Sequence, residues 1–272
     1  MGIDVANIAQ GGLLAVNDNA SGVRKVLLEN KVAQKEIEKF DEIVKKAASA
    51  KNTGVIASVG RYSLANISKE RGFIDLLPDL LKKEGLTMDD FHYMMLKNVN
   101  ALTETEKAKL ARIRNALPKP NANTVMQKVI PKADIENYIN PTSNYYKQIG
   151  GYVSTAADTK HLKTFDDLYY GERLDYTNSK FFTSANSCGV LRFKNTRSSE
   201  VVIPTGSQYN GYDYPFTAHG FTSGSNGRLG VPEWHFQSRI DIQEGTEIWE
   251  IFNDGTEEIR AIYRSGKFVI IK

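Results

Sequence analysis

The sequence predicts an α+β protein: an N-terminal helical segment followed by a mixed, mostly antiparallel β-rich domain. Three observations in its 272 residues point there. Apolar residues recur at helical spacing through the first half, with Lys and Glu between them. Short apolar runs set off by glycine turns fill the second half. The aromatics divide the same way. Of the 13 tyrosines only Tyr62 and Tyr93 precede residue 118, and both tryptophans follow it.

Residues 1–19 are small and polar and read as an irregular leader. From Ser21 to about Ala50, Val23, Val26, Leu27, Ile37, Phe40, Ile43, Val44 and Ala47 mark an amphipathic helix that Gly54 follows as a natural stop. A second helix is expected near Ser68–Glu84, with Pro78 breaking or restarting it, because proline lacks the amide and crowds the preceding turn. Thr87 opens a third, with Asp89 and Asp90 favoured in its first turn by the helix dipole. Thr103-x-x-Glu106 is a capping box for a fourth that runs to about Leu117. The span 20–117 is thus helical, and the prolines and asparagines of Pro118–Asn123 mark a domain boundary.

Beyond the boundary, 124–130 is an apolar strand closed by Pro131, and 149–155 is a glycine-kinked strand. A helix is expected from Asp158 to about Leu174, then strands at 189–194 and 200–203 and a long Tyr/Gly/Ser loop over 205–228. The end is β-rich, with strands at 233–241, 246–252, 257–263 and 267–271. Asn253-Asp254-Gly255 and Arg264-Ser265-Gly266 supply hairpin turns.

Composition narrows the function classes. With 41% hydrophobic and 25% charged residues the chain is globular. Lys+Arg 35 against Asp+Glu 32 gives a net charge of +3, too small to argue for nucleic acid. One cysteine, Cys188, excludes an internal disulfide framework and a cysteine-rich zinc site, and suits a reducing compartment. The flanking sequence reads as a turn before a strand, with a buried, inert thiol. The four histidines, His92, His161, His219 and His235, lack ligand spacing, so no metal is expected. Phosphate-cradling glycine motifs and a nucleophile elbow are absent. No run of about 18 apolar residues spans a membrane. The N-terminus has neither the basic region nor the apolar core of a Sec signal peptide.

The stretch Gly230-Val231-Pro232-Glu233-Trp234-His235-Phe236 stands out. A carboxylate between a proline and a tryptophan at the mouth of a strand is partly desolvated, and such carboxylates cluster at functional sites. A surface glutamate above packed aromatics is the plain alternative. Three further pieces come before it in order: Val125-Met126-Gln127-Lys128-Val129, then Gly151-Tyr152-Val153-Ser154-Thr155-Ala156, then Val190-Leu191-Arg192-Phe193. In this order residues 118–272 resemble the ADP-ribosyltransferase domain of bacterial toxins. There a first strand carries an arginine or histidine, a second carries a Ser-Thr-Ser or its equivalent, and a late strand begins at a catalytic glutamate.

The resemblance implies NAD as substrate and Glu233 as the catalytic carboxylate. Ser154, Thr155 and Tyr152 would position NAD, and Lys128 or Arg173 would hold its phosphates. Gln127 stands where the arginine is expected, which is a departure from the pattern. The implied protein is a secreted or injected effector, with the 20–117 helices as delivery or adaptor segment and a specialised secretion system as carrier. An ADP-ribose acceptor and a cognate immunity protein would be its partners. Ser154-Thr155 also reads as an N-cap for the helix near Asp158. Two other functions fit the same residues: a non-enzymatic cargo, structural or phage-type interaction protein, and a nuclease using His219 or His235 with Arg192.

Overall fold

The computed structural model describes residues 60–206 and 219–271. The expected leader over 1–19 and the helix over 21–50 lie outside the described residues. The architecture is α+β. Among the described residues four helices come first: α1 (Leu64–Ile67), α2 (Phe73–Glu84), α3 (Met88–Leu96) and α4 (Glu104–Ala116). Capping boxes start two of them. Thr87 and Asp90 exchange side-chain-to-amide bonds at α3, and Thr103 and Glu106 do the same at α4. Pro78 does not break α2. It removes one backbone bond, but Phe73, Leu77 and Leu81 bury one continuous face on both sides of it. None of the helices among the described residues is long and apolar enough to cross a membrane.

Eight strands follow: β1 (Val125–Ile130), β2 (Gln148–Thr155), β3 (Ser187–Lys194), β4 (Val201–Val202), β5 (Trp234–Asp241), β6 (Glu247–Phe252), β7 (Glu257–Arg264) and β8 (Lys267–Ile270). They form one sheet in the order β4-β5-β2-β1-β3-β6-β7-β8, and every pairing is antiparallel. The last two hairpins turn as their glycines require, with Gly255 and Gly266 both at φ 83°. The β1–β3 ladder runs for six pairs, whereas β1 and β2 share only Met126↔Thr155 and Gln127↔Ser154. Past those two pairs the strands separate.

Helix α5 (Lys132–Ile139), which the periodicity did not mark, follows β1 and places Ile135 and Tyr138 in the sheet core. The single helix expected over 158–174 is two: α6 (Ala156–Thr159) and α7 (Phe165–Gly171). A tight turn intervenes, Leu162 donating its amide to the Thr159 carbonyl at 2.8 Å, and Thr164 caps α7 through the amide of Asp167. Cys188 lies within β3 rather than in a turn before it, and it is fully buried.

Residues Tyr62–Lys272 form one compact unit, so Pro118–Asn123 is a connector inside it. The reason is visible in the packing. Phe221, from the second half, sits in the helical core against Phe73 at 5.8 Å and Phe91 at 5.7 Å between ring centroids. Asp158 caps α2 by accepting from the Phe73 amide at 2.8 Å. Both contacts cross the connector. Truncating Phe221→Ala should therefore destabilise the whole unit by about 3–5 kcal/mol in a single unfolding transition. Urea denaturation followed by two probes checks this, and a helical half that melts separately from the sheet would contradict it.

Candidate functional site

A cavity of about 430 Å³ lies where β1 and β2 part. It is lined by Lys128 from β1, Tyr152 and Ser154 from β2, Glu172 and Arg173 after α7, and Glu233 at the start of β5. The split itself makes the space. Lys128 bridges it, its ammonium donating to the Tyr152 carbonyl at 3.2 Å.

Each side chain is set by its local backbone. Gly151, at φ 75°, sits at an irregularity in the β2–β5 register between Ile149 and Gly151. Such a bulge re-aims the residues after it. Tyr152 then pairs across the ladder with His235, their rings edge to face at 4.9 Å. Glu233 is held at both backbone groups. Its amide donates to the Gly220 carbonyl at 2.9 Å, and its carbonyl accepts from Arg114 Nη2 at 2.6 Å. Gly220 must be glycine. Its φ is 79°, and an added Cβ would lie 2.4 Å from Ile203 Cγ2. Glu172 ends α7, its amide donating to the Leu168 carbonyl, and Arg173 turns the chain at φ 53°.

The electrostatics follow from enclosure. Glu172 and Glu233 are half-buried by accessible area, yet enough protein surrounds their carboxyls to withdraw them from bulk water. Burial, foremost, pushes both up to about 8. The charge of Glu172 adds to the rise at Glu233, and Arg114 opposes it. Burial and then Arg239 bring Lys128 down to about 8, against the pull of Glu172. The site therefore holds two carboxyls and an amine that exchange protons near neutral pH. One carboxyl oxygen of Glu172, Oε1, is enclosed without a hydrogen-bond partner. Arg239, Lys180 and Tyr145 also line the cavity, and Arg239 lies over the Tyr145 ring at 4.0 Å.

Of the residues the sequence singles out, Lys128, Tyr152, Ser154, Arg173 and Glu233 come together here. Thr155 does not. Its hydroxyl accepts from the Asp158 amide at 3.1 Å and caps α6. Arg173 is buried and engaged, donating to Asp175 at 2.8 Å and to the Gly224 carbonyl at 3.3 Å. Gln127 is built into a buried network, donating to Thr159 and accepting from Arg192 Nε at 3.0 Å. Arg192 lines neither this cavity nor the second one below. It bonds the Tyr62 carbonyl and Glu257, both at 2.7 Å. Among the described residues no three His, Cys, Asp or Glu side chains are grouped to hold a metal ion.

Two site residues escape the sequence reading. Glu172 had a signal: a carboxylate at a helix C-terminus opposes the dipole and needs a reason. Arg114 had one too. It falls in register with Leu110, Ile113 and Leu117 on the buried face of α4. Comparison with family models, with curated proteins and with solved structures finds no match.

Two measurements check this geometry. The Glu233 carboxyl is raised in the folded state, from about 4.5 to about 8. Between those values the folded protein keeps a proton that the unfolded chain has lost, so this contribution to stability is complete below about 4.5 and disappears as pH rises to about 8. Melting temperatures of the wild type should thus fall relative to Glu233→Gln across that interval; parallel curves would contradict it. Lys128 acts in the opposite sense at higher pH, because its pKa is depressed. Thr155→Ala should cost about 1 kcal/mol through the lost cap, with no change in any ligand affinity.

Proposed function

We propose that this chain cleaves the nicotinamide–ribose bond of NAD and passes ADP-ribose to a macromolecule or to water, as an effector toxin would. One observation carries the reading. Lys128 on β1, Tyr152 and Ser154 on β2 and Glu233 just before β5 line one cavity at the β1/β2 split, while Gln127, at the β1 position of the family arginine, and Thr155 do not reach it. Glu233 is the catalytic carboxylate of this reading. Rupture of the bond leaves positive charge on the ribose, as in glycoside hydrolysis, and a fixed carboxylate stabilises it. The backbone clamp on Glu233 supplies the fixity, so little reorganisation is needed as charge develops.

Tyr152 offers a ring for the nicotinamide to stack on, and Ser154 a hydroxyl to orient the ribose. The missing arginine on β1 weakens neither role. The anionic part of the substrate falls to the cations on the cavity wall, Lys128, Lys180 and Arg239. Arg173 suits it less, being bonded already to Asp175. The cavity volume, about 430 Å³, suits the nicotinamide–ribose end rather than the whole dinucleotide.

The test is free nicotinamide released from NAD by the full chain, with candidate protein acceptors supplied. Glu233→Gln should lower kcat by about 10²-fold or more and leave KM little changed, because the amide keeps the hydrogen bonds and lacks the charge. Wild-type kcat/KM, which reports the free enzyme, should rise with pH toward about 8 as Glu233 ionises. An active wild type with an equally active Glu233→Gln would remove Glu233 from the chemistry. A wild type that never consumes NAD would leave the interaction-protein reading in its place.

A further inference from the structure

A second cavity, of about 450 Å³, lies between α4 and residues 203–206 and 219. Asn100, Lys107, Arg114, Asn115, Thr205 and His219 supply its polar wall, and among the described residues no carboxylate lines it. Its volume is within the range of small-molecule sites.

Two of its side chains are buried with polar atoms unmet, one guanidinium nitrogen of Arg114 and both ring nitrogens of His219. Arg114 is 1% exposed and makes no ion pair among the described residues. Nε donates to the Gly220 carbonyl at 2.7 Å and Nη2 to the Glu233 carbonyl at 2.6 Å, while Nη1 has no partner. His219 is 7% exposed, and neither of its ring nitrogens has a partner. Burial lowers Arg114 to about 10, which leaves it charged at neutral pH. Burial lowers His219 to about 4, which leaves it neutral, with one N–H to donate and one nitrogen to accept.

A buried cation with no direct ion pair, only the longer-range fields of Asp158 and Glu233, is costly, and buried donors without acceptors are rare in native proteins. An oxyanion meets both needs at once. We propose that this cavity binds a small molecule bearing a carboxylate or phosphate, with Arg114 Nη1 and His219 as its direct contacts. The oxyanion accepts from Nη1 and from the imidazole N–H. Asn100, Asn115 and Thr205 line the same cavity. Lys107, which pairs with Glu104 at 2.8 Å, adds a positive charge there. The remaining imidazole nitrogen accepts from a hydroxyl beside the anionic group, which favours hydroxylated ligands. None of this depends on NAD chemistry in the first cavity, although Arg114 also holds the backbone of Glu233.

The full chain is titrated with inorganic phosphate, and separately with malonate, at constant ionic strength against chloride. Melting temperature and titration calorimetry are read. One or both anions should raise the melting temperature and bind a single site at millimolar concentration or below. A phosphate preference identifies a phosphate ester as the ligand class, and a malonate preference a carboxylic acid; either supports the site. Arg114→Met should abolish binding. It also loosens the Glu233 backbone, so His219→Leu is the second variant. That substitution removes two unmet buried nitrogens, so the fold should persist while affinity falls about tenfold or more. Lys128→Met, in the first cavity, should leave the His219-dependent binding unchanged, whatever anion binding it removes in its own cavity. Absence of binding by both anions, wild-type affinity in His219→Leu, or loss of the His219-dependent binding in Lys128→Met would each overturn the proposal.

Discussion

The backbone ladder between β1 and β2 stops after two pairs, and the arrangement of the site depends on that. Each strand is free to part from the other because its far edge is secured. Strand β1 runs beside β3 for six pairs, and β2 runs beside β5. Parting leaves backbone groups that must find other partners. The Lys128 ammonium meets one of them by donating to the Tyr152 carbonyl. A lysine in that position both props the gap and brings positive charge into it. The bulge at Gly151 adds local twist on the β2 side, where Tyr152 and Ser154 reach the cavity.

Arg114 ties this split sheet to the helices. It projects from the buried face of α4 and lies over the Trp234 ring at 4.2 Å. A stacked guanidinium fits beside an aromatic face better than an ammonium would. Its donors reach the carbonyls of Gly220 and Glu233, so the segment that leads into β5 is fixed from the helical side. The helices over 62–117 are therefore part of the framework that aims Glu233. A free-standing adaptor role does not fit them, given the shared core around Phe221 and the cap that Asp158 gives α2.

Much of the fold was legible because local chemistry and final structure agree. The helix start at Thr87, the capping box at Thr103 and the glycine hairpins are local signals, and the fold uses each of them. Where the reading failed, a distant contact had decided the outcome. Helix α2 passes through Pro78 because the core on both sides outweighs one lost bond. The polar connector at 118–123 looked like a boundary because the contacts that bridge it, Phe73 with Asp158 and Phe73 with Phe221, join residues 85 or more apart in the chain. Glu233 was conspicuous by its neighbours in sequence. Glu172 and Arg114 were not, since their meaning comes from what the sheet brings beside them. Gln127 shows the limit of matching by position. It occupies the expected place on β1, but Arg192, directly across the β1–β3 ladder, recruits it into a buried network.

The charge balance of the first cavity bears on how such a site would act. Lys128, Glu172 and Glu233 share one enclosed space, and burial pushes all three toward neutrality. In the resting site a protonated Glu233 avoids an uncompensated buried charge. On the proposed reading, the substrate carries its positive charge in the nicotinamide ring, and that charge moves to the ribose as the bond breaks. A nearby positive charge lowers a carboxyl pKa, so the substrate itself favours ionised Glu233 when the anion is needed. Glu172 works against this by raising its neighbour, and Arg114 works for it. The arginine that fixes the backbone of Glu233 thus also biases its side chain toward the charged form, and a single buried guanidinium links the position of the carboxylate to its ionisation.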